Sequence, residues 1–380
     1  DWLQFRGNDT SAVLAGADLP KALDADKHLS WKVELPGRGL SSPLVIGDRI
    51  VVTAASTADQ SRLHVLCFDA GDGSLRWDRQ FWATGRTMCH EKTCIAAPTP
   101  ASDGKYIYAL FSTNDLICLD LDGKLKWLRG LMQDYPNASN SLGLASSPVI
   151  AGDTLVVQIE NDADSFAAGI NLATGANKWK IGRTKRANWT SPLVLGNGVV
   201  ALQGSAGVTA LNASNGEELW SFGEGASTIP SSVATAGGAE LYIPSNGLTA
   251  IKPREDNNTP EISWQQGTLR PGTASPVVVG DKLFVINNAG VLNAADRNTG
   301  ERLWRTRLEG PFSGSPVVAG NHLYIASERK GMLQCVDLSG DEGKVVGSIE
   351  LGDTILGTPA LSEDALYVRS DGHLWKVSEK

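Results

Sequence analysis

The sequence of 380 residues lacks long apolar runs, helical periodicity and an excess of basic residues. No stretch of about 18 apolar residues occurs, so we expect no transmembrane helix. The 34 basic and 42 acidic residues give a net charge of −8, which argues against nonspecific nucleic-acid binding because that needs a basic face. The scarcity of helical periodicity excludes helical solenoids.

Motifs of catalysis and metal binding are scarce too. No Gly-x-Ser-x-Gly elbow occurs, and the five histidines are scattered singly. Asp162 and Asp164 lack the other positions of an EF-hand loop. The segment 196–201 fits a GxGxxA pattern, but it lies in a hairpin turn followed by a strand rather than a helix, which excludes a dinucleotide site.

Glycine and tryptophan are abundant, at 41 and 11 residues, and one unit recurs along the chain. The unit opens with Ser-Pro, an apolar strand, a Gly-Asp or Gly-Asn turn and a second strand. Its second half reads apolar-small-apolar-Asp, a turn ending in Gly, and Trp four residues later. The markers average about 45 residues apart, which predicts an all-β, eight-bladed propeller of four-stranded blades. They are Pro43, Pro100, Pro148, Pro192, Ser232 in place of a proline, Pro276, Pro316 and Pro359.

A tryptophan series follows the same period. It comprises Trp31, Trp77, Trp127, Trp179, Trp220, Trp264 and Trp304. Unit seven has Gly347 instead, so we expect weaker packing there. The last unit stops after its third strand, and residues 28–35 therefore predict the missing fourth strand, which would close the ring and remove an open edge. We expect residues 1–380 to form one domain, with residues 1–27 as an amino-terminal extension.

These motifs resemble the PQQ-like (pyrroloquinoline quinone) propeller repeat over nearly the whole chain. The marks are Asp-x-x-x-Gly-x-x-x-Trp at blade ends and Ser-Pro-apolar-Gly-Asp at blade starts. The resemblance implies that each tryptophan docks on the neighbouring blade. The opening Asp-Trp-Leu-Gln-Phe-Arg-Gly resembles the start of secreted bacterial members. It implies a periplasmic or extracellular location, with outer-membrane association in some members. Because Asp1 is not an initiator methionine and no signal peptide precedes it, we expect a processed or trimmed terminus.

The family has two functional branches. Quinoprotein alcohol dehydrogenases hold PQQ and Ca²⁺ over the axis and generally carry two adjacent cysteines. This sequence has no Cys-Cys pair, and no Ca²⁺ ligands or catalytic Asp can be assigned. We therefore expect a monomeric, non-catalytic binding or protein-interaction scaffold without cofactor, like the BamB lipoprotein of the outer-membrane assembly machine. The alternative is a divergent quinoprotein dehydrogenase, or a small-ligand-binding enzyme, with its site at the axial mouth.

The site is predicted on the face that carries the long connections, residues 80–97, 131–146, 160–168, 182–190 and 265–274, because long loops on a rigid scaffold usually carry binding. Trp189 would stack a planar ligand, and Arg38 or Arg270 would pair with an anion. The alternative is that the candidates pack or solvate loop ends. The full candidate set is Arg38, His90, Asn188, Trp189, Arg270, Phe312, Glu328 and Arg329.

The five cysteines fall into two groups. Cys67, Cys118 and Cys335 share one repeat position and are predicted to be buried fillers. Cys89 and Cys94 flank His90 in the longest connection. A disulfide between them or two free thiols are favoured over a metal site, which lacks a fourth ligand.

Overall fold

The polypeptide forms eight sheets, each containing four antiparallel blade strands, in a computed structural model that describes residues 1–254 and 257–379. The predicted eight-bladed propeller is therefore confirmed. Neighbouring innermost strands contact one another around the ring, so they surround a central axis. Lys380, the last residue of the predicted domain, lies outside the described residues.

Each blade starts at the axis and ends at the outer surface. Blades 1 to 4 comprise Leu44–Ile46, Arg49–Ser56, Arg62–Asp69, Leu75–Trp82; Ala101–Ser102, Tyr106–Leu110, Asp115–Asp120, Leu125–Gly130; Val149–Ala151, Thr154–Ile159, Phe166–Asn171, Asn177–Gly182; and Leu193–Gly196, Val199–Gly204, Gly207–Asn212, Glu218–Phe222. Blades 5 to 8 comprise Val233–Ala234, Leu241–Ile243, Leu248–Arg254, Asn257–Gln266; Val277–Val279, Lys282–Ile286, Val291–Asp296, Arg302–Arg307; Val317–Ala319, His322–Ala326, Met332–Asp337, Lys344–Glu350; and Ala360–Leu361, Ala365–Arg369, His373–Ser378, Leu29–Glu34.

Helical structure is limited to three short segments in the described residues: Ala25–His28, Leu131–Asp134 and the 3₁₀ turn Ala236–Gly238. No helix among residues 1–254 and 257–379 has the length and apolarity needed to cross a membrane. The core lies between neighbouring blades. Middle strands such as Thr154–Ile159 are buried throughout, whereas the outermost strand Asn177–Gly182 alternates between exposed and covered residues.

The tryptophan series is the contact between blades. Trp127 donates its Nε1–H to the carbonyl of Leu172 in blade 3, at 2.9 Å. Gly175 lies beneath its ring with a φ of +73°, and a Cβ there would lie 2.8 Å from the indole. The glycine four residues before a repeat tryptophan thus lies under the tryptophan of the preceding blade. The same pairing joins Trp31 with Gly73, Trp77 with Gly123, Trp179 with Gly216 and Trp264 with Gly300. In blade 7, which has no repeat tryptophan of its own, Gly343 lies against the far edge of the Trp304 ring.

The ring closes as predicted from residues 28–35. Leu29–Glu34 pairs antiparallel with His373–Ser378 and completes blade 8 as its outermost strand. Trp31 then donates to the carbonyl of Ala70 in blade 1, so blade 8 docks on blade 1 by the same contact that joins most other blades. The two ends of the chain are thereby joined in one sheet.

Residues 1–14 form a further element that we call the axial plug. They cross the axis near the short-turn end of the innermost strands, and Val13–Leu14 adds a parallel strand to Val317–Ala319. Arg6 is buried with a φ of +65°, a backbone conformation maintained only where surrounding contacts hold it. The plug bonds to seven blades at or just before their innermost strands: Trp2 to Val45, Leu3 to Ser102, Gln4 to Ile150, Thr10 to Val194, Arg6 to Ser232 and Pro276, and Ala12 to Val318.

The interface after blade 7, where Gly347 replaces tryptophan, is filled in another way. The backbone of Lys21 and Ala22 lies where the indole would be, and Leu19 and Leu23 are buried beside it. Weaker packing was expected there because the repeat itself has no tryptophan at this position. The amino-terminal extension supplies the missing contact, because a glycine leaves room for a backbone segment.

Gly347→Ala is expected to lower the free energy of unfolding by about 1–3 kcal/mol, since overpacking forces the backbone to shift. The new Cβ would lie 2.2 Å from the Lys21 carbonyl oxygen. Urea unfolding measures the effect. Gly182→Ala is the matched control, because Gly182 also lies in an outermost strand and has no neighbour within 4 Å of an added Cβ. Equal stability of the two variants would contradict the described packing.

Candidate functional site

The Ser or Thr of each blade-opening marker forms a ring around the axis. The backbone N–H of one member donates to the hydroxyl of the next, over 2.8 to 3.1 Å, at seven successive steps. At the remaining step, Ser42 Oγ donates to the carbonyl of Pro359 at 3.4 Å. We call these residues the hydroxyl ring: Ser42, Thr99, Ser147, Ser191, Ser231, Ser275, Ser315 and Thr358.

Seven members of the hydroxyl ring line an axial cavity of about 380 Å³. Phe5 of the axial plug also lines it, and because the plug occupies the short-turn end of the axis, the cavity opens towards the long connections. Apolar side chains from the connections between blades line it as well, among them Leu142, Trp189, Ile229 and Leu356. Leu142 and Ile229 are 41% and 48% exposed, so they form an apolar rim.

Only two ionisable side chains line the cavity among the described residues, His90 and Lys92, and no Asp or Glu does. The Lys92 ammonium lies 3.5 Å from Glu328 Oε2, which belongs to blade 7 on the other side of the ring closure. Glu328 Oε1 accepts a hydrogen bond of 2.6 Å from Ser313, another lining residue. The rim therefore combines an apolar surface with one ion pair.

Of the eight predicted site residues, His90 and Trp189 line the cavity, and Glu328 contacts two residues that do. Trp189 donates its Nε1–H to the Gly143 carbonyl at 3.0 Å, which fixes the indole against the neighbouring connection. Arg38 lies behind the rim. Its guanidinium donates to the carbonyls of Glu91 and Thr93 and pairs with Asp371, so it anchors the loop that carries His90.

The other four candidates lie outside the cavity lining. Asn188 is buried and donates to the Gln203 carbonyl at 2.9 Å, and Phe312 is buried in the core. Arg270 and Arg329 are exposed. These four residues pack at loop ends or are exposed to solvent, as in the alternative stated for the candidate set.

All five cysteines carry free thiols in the structure. Cys67, Cys118 and Cys335 are buried, as predicted, and burial raises the pKa of each thiol to about 12. Burial also raises the pKa of Cys94 to about 12 and that of half-buried Cys89 above its usual value. A disulfide between Cys89 and Cys94 stays a prediction. Across residues 1–254 and 257–379, no group of three or more His, Cys, Asp or Glu side chains could hold a metal ion.

The residues that sequence reasoning missed are the hydroxyl ring, the apolar rim and Lys92. A signal for the ring was present, because a Ser or Thr occupies the position before every marker, including Ser231 before the marker without proline. The rim residues Leu142 and Ile229 had no such signal, since each occurs once in a connection of irregular length.

The cavity lining does not fit PQQ with Ca²⁺. Calcium takes oxygen ligands, carboxylates prominent among them, and no carboxylate lines the cavity in the described part of the chain. PQQ itself carries several carboxylates, whereas Lys92, the one ammonium that the described residues place on the wall, is already paired with Glu328. The residues present are better suited to a smaller ligand with less charge.

The blade number, the docked tryptophans and the marker-derived ring define the chain as a PQQ-like β-propeller. The model of the family described as outer membrane protein assembly factor BamB matches residues 3–180, 139–255 and 254–346. The chain therefore belongs to this BamB family. No curated protein matches the sequence.

Solved structures of a BamB protein and of alcohol dehydrogenases share this fold. BamB from Moraxella catarrhalis is 17% identical with a TM-score of 0.67, over 93% of this chain and 97% of that one. A europium-containing methanol dehydrogenase is 12% identical with a TM-score of 0.76, over 99% and 98%. Quinohemoprotein alcohol dehydrogenase from Comamonas testosteroni is 12% identical with a TM-score of 0.75, over 100% and 80%. At such identities the likeness concerns the fold alone.

Proposed function

We propose that this protein is a non-catalytic periplasmic propeller that takes part in outer membrane protein assembly by holding a protein partner on its long-connection face. The observation that carries the proposal is the apolar rim around a cavity on whose wall the described residues place no carboxylate. Leu142 and Ile229 are large, exposed and line the cavity, and the half-buried Trp189 lines it as well. Exposed apolar residues grouped on one face are typical of protein-binding surfaces.

The rim is held on rigid supports, which favours recognition over turnover. The N–H of His90 donates to the Leu142 carbonyl at 3.1 Å, and that of Trp189 donates to the Thr228 carbonyl at 2.8 Å. These bonds tie adjacent connections together beneath the exposed side chains. A partner would therefore find a preformed apolar surface, which lowers the entropy lost on binding.

Site-specific photocrosslinking in cells tests this function. We expect a photoreactive residue at Ile229 to give adducts with a component of outer membrane protein assembly or with an outer membrane protein precursor. The matched control is Leu303, which is 50% exposed on the outermost strand of blade 6, away from the axis. Adducts of equal yield at both positions, or none at Ile229, would contradict the proposed face.

The second candidate is a divergent quinoprotein dehydrogenase, favoured by the presence of Trp189 and His90 on the axial cavity. Purified protein supplied with PQQ and Ca²⁺ would be assayed for dye-linked alcohol oxidation. Because residues 1–254 and 257–379 offer the cation no carboxylate ligand on the cavity wall, we expect rates at the level of the protein-free control. Robust turnover would replace the scaffold proposal.

A further inference from the structure

We propose that the axial cavity is a binding site for a carboxylate that carries an apolar group, such as a short fatty acid or the free carboxyl terminus of a peptide. The inference deepens the proposed function, since it uses the same face and rests on that face being a binding surface. It starts from the hydroxyl ring, whose chemistry the partner proposal leaves unused.

The hydroxyl ring presents unmatched hydrogen-bond donors. Each of the seven lining hydroxyls accepts one backbone N–H, and none of them donates a hydrogen bond to another described residue. All seven residues are at least nine-tenths buried; Ser231 and Thr358, the most exposed, reach 6%. Buried hydroxyls normally find acceptors, so a ring of free O–H donors around one cavity calls for a ligand or water rich in acceptors.

The charge of the lining selects the sign of the ligand. Lys92 supplies a positive charge, and the described residues place no carboxylate on the wall. A carboxylate accepts several hydrogen bonds at once, and bonds from neutral O–H groups to an ionised acceptor are stronger than bonds between neutral groups. A cation would be repelled by Lys92 and would leave the O–H donors of the ring unmatched.

The size and the apolar walls select the remainder of the ligand. A cavity of about 380 Å³ takes one small molecule or one terminal residue, not a large cofactor. Phe5 and Leu356 line it together with the rim residues Leu142 and Ile229. A ligand with its carboxylate among the ring hydroxyls would place an apolar group against this surface and remove it from water.

Two donors at the cavity, Ser313 and Lys92, already bind one carboxylate, that of Glu328. Its two oxygens take the Ser313 hydroxyl and the Lys92 ammonium, at 2.6 and 3.5 Å. Glu328 is therefore an internal competitor, which both occupies Lys92 and repels an incoming anion. Lys92 and Glu328 should affect ligand binding in opposite directions.

Calorimetric titration of the full chain with decanoate tests the proposal. We expect saturable 1:1 binding, and affinity for decanol weaker by about tenfold or more, because charge-assisted hydrogen bonds are lost. The peptide Gly-Ser-Gly-Leu, with either a free or an amidated carboxyl terminus, distinguishes the sources. If the free-carboxyl peptide binds more tightly than decanoate and the amidated peptide does not bind, the ligand is a polypeptide terminus. If decanoate binds and neither peptide does, the ligand is a small free acid.

Two variants at the rim test the geometry. Lys92→Gln is expected to weaken decanoate binding about fivefold, and Glu328→Gln to tighten it by a similar factor, because each substitution removes one charge that acts on the carboxylate across the cavity. Lys92 is 63% exposed, so its substitution leaves the fold intact. The matched controls are Lys124→Gln and Glu301→Gln, two exposed charges in the short turns of blades 2 and 6. Both are expected to bind like the parent chain.

Equal affinity for decanoate and decanol, or no binding of any carboxylate tested, would overturn the proposal. So would equal affinities of Lys92→Gln and Glu328→Gln. These outcomes are separate from those for the partner-binding face. Crosslinks at Ile229 without carboxylate binding would contradict only the proposed ligand site. Carboxylate binding without crosslinks would contradict only the proposed protein partner.

Discussion

Removal of the axial plug is expected to destabilise the propeller more than any single core substitution. A chain without residues 1–14 loses the buried Trp2 and the bonds that the plug makes to seven blades. Truncating one buried tryptophan costs about 3–5 kcal/mol. With the loss of Arg6 added, the total approaches the whole stability of a typical domain, about 5–15 kcal/mol. Urea unfolding followed by tryptophan fluorescence should show a much lower midpoint.

Arg6→Met isolates the central contact of the plug. The Arg6 guanidinium donates to the carbonyls of Ser232 and Pro276, at 3.1 and 2.5 Å, and so joins blades 5 and 6. Burial lowers the pKa of Arg6 to about 10, so keeping the charge inside has a cost that methionine avoids. The two carbonyls left without a donor outweigh that gain, and we expect a net loss of about 2–4 kcal/mol.

The control for Arg6→Met is Arg302→Met, because Arg302 is exposed on the outermost strand of blade 6. Its free energy of unfolding should stay within about 0.5 kcal/mol of the parent. If the chain lacking residues 1–14 unfolded at the parent's urea concentration, the plug would be an appendage rather than part of the ring.

The sequence predicts the blades well because each repeat contains the residues that determine its own strands, turns and docking contact. Ser-Pro sets the start of an innermost strand, Gly supplies the positive φ of the turn, and Trp127 and its equivalents dock on a glycine one blade later. These relations are local or recur at one period, so they can be counted in a single sequence. The closing strand at residues 28–35 followed from the same count.

The plug and the site could not be predicted in this way. Arg6 bonds to residues more than 220 positions away, and no period relates it to Ser232 or Pro276. Polar loop residues such as Asn188 were predicted as ligand-binding residues because their side chains can form hydrogen bonds. In the structure, the Asn188 side chain instead donates to a backbone carbonyl of the protein. The cavity is instead lined by the serines of the markers, whose regular recurrence made them look purely structural.

Trp127→Ala is expected to lower the free energy of unfolding by about 2–4 kcal/mol, somewhat less than for a fully buried tryptophan. The substitution removes the hydrogen bond to Leu172, the ring contact with Tyr108 at 6.0 Å between centroids, and the cover over Gly175. Trp127→Phe keeps much of the apolar contact and should lose about 1 kcal/mol, the value of one hydrogen bond. Thermal unfolding measures both.

Trp82→Ala is the matched control, because Trp82 also lies in an outermost strand but is 63% exposed, with the Arg62 guanidinium over its ring. Its effect should stay within about 1 kcal/mol. Gly175→Ala adds a sharper test, since its Cβ would meet the Trp127 indole at 2.8 Å. In the Trp127→Ala background that clash is gone and only the strain of the positive φ remains. The two substitutions should therefore destabilise less together than the sum of their separate effects, and strict additivity would mean that the indole does not rest on the glycine of the next blade.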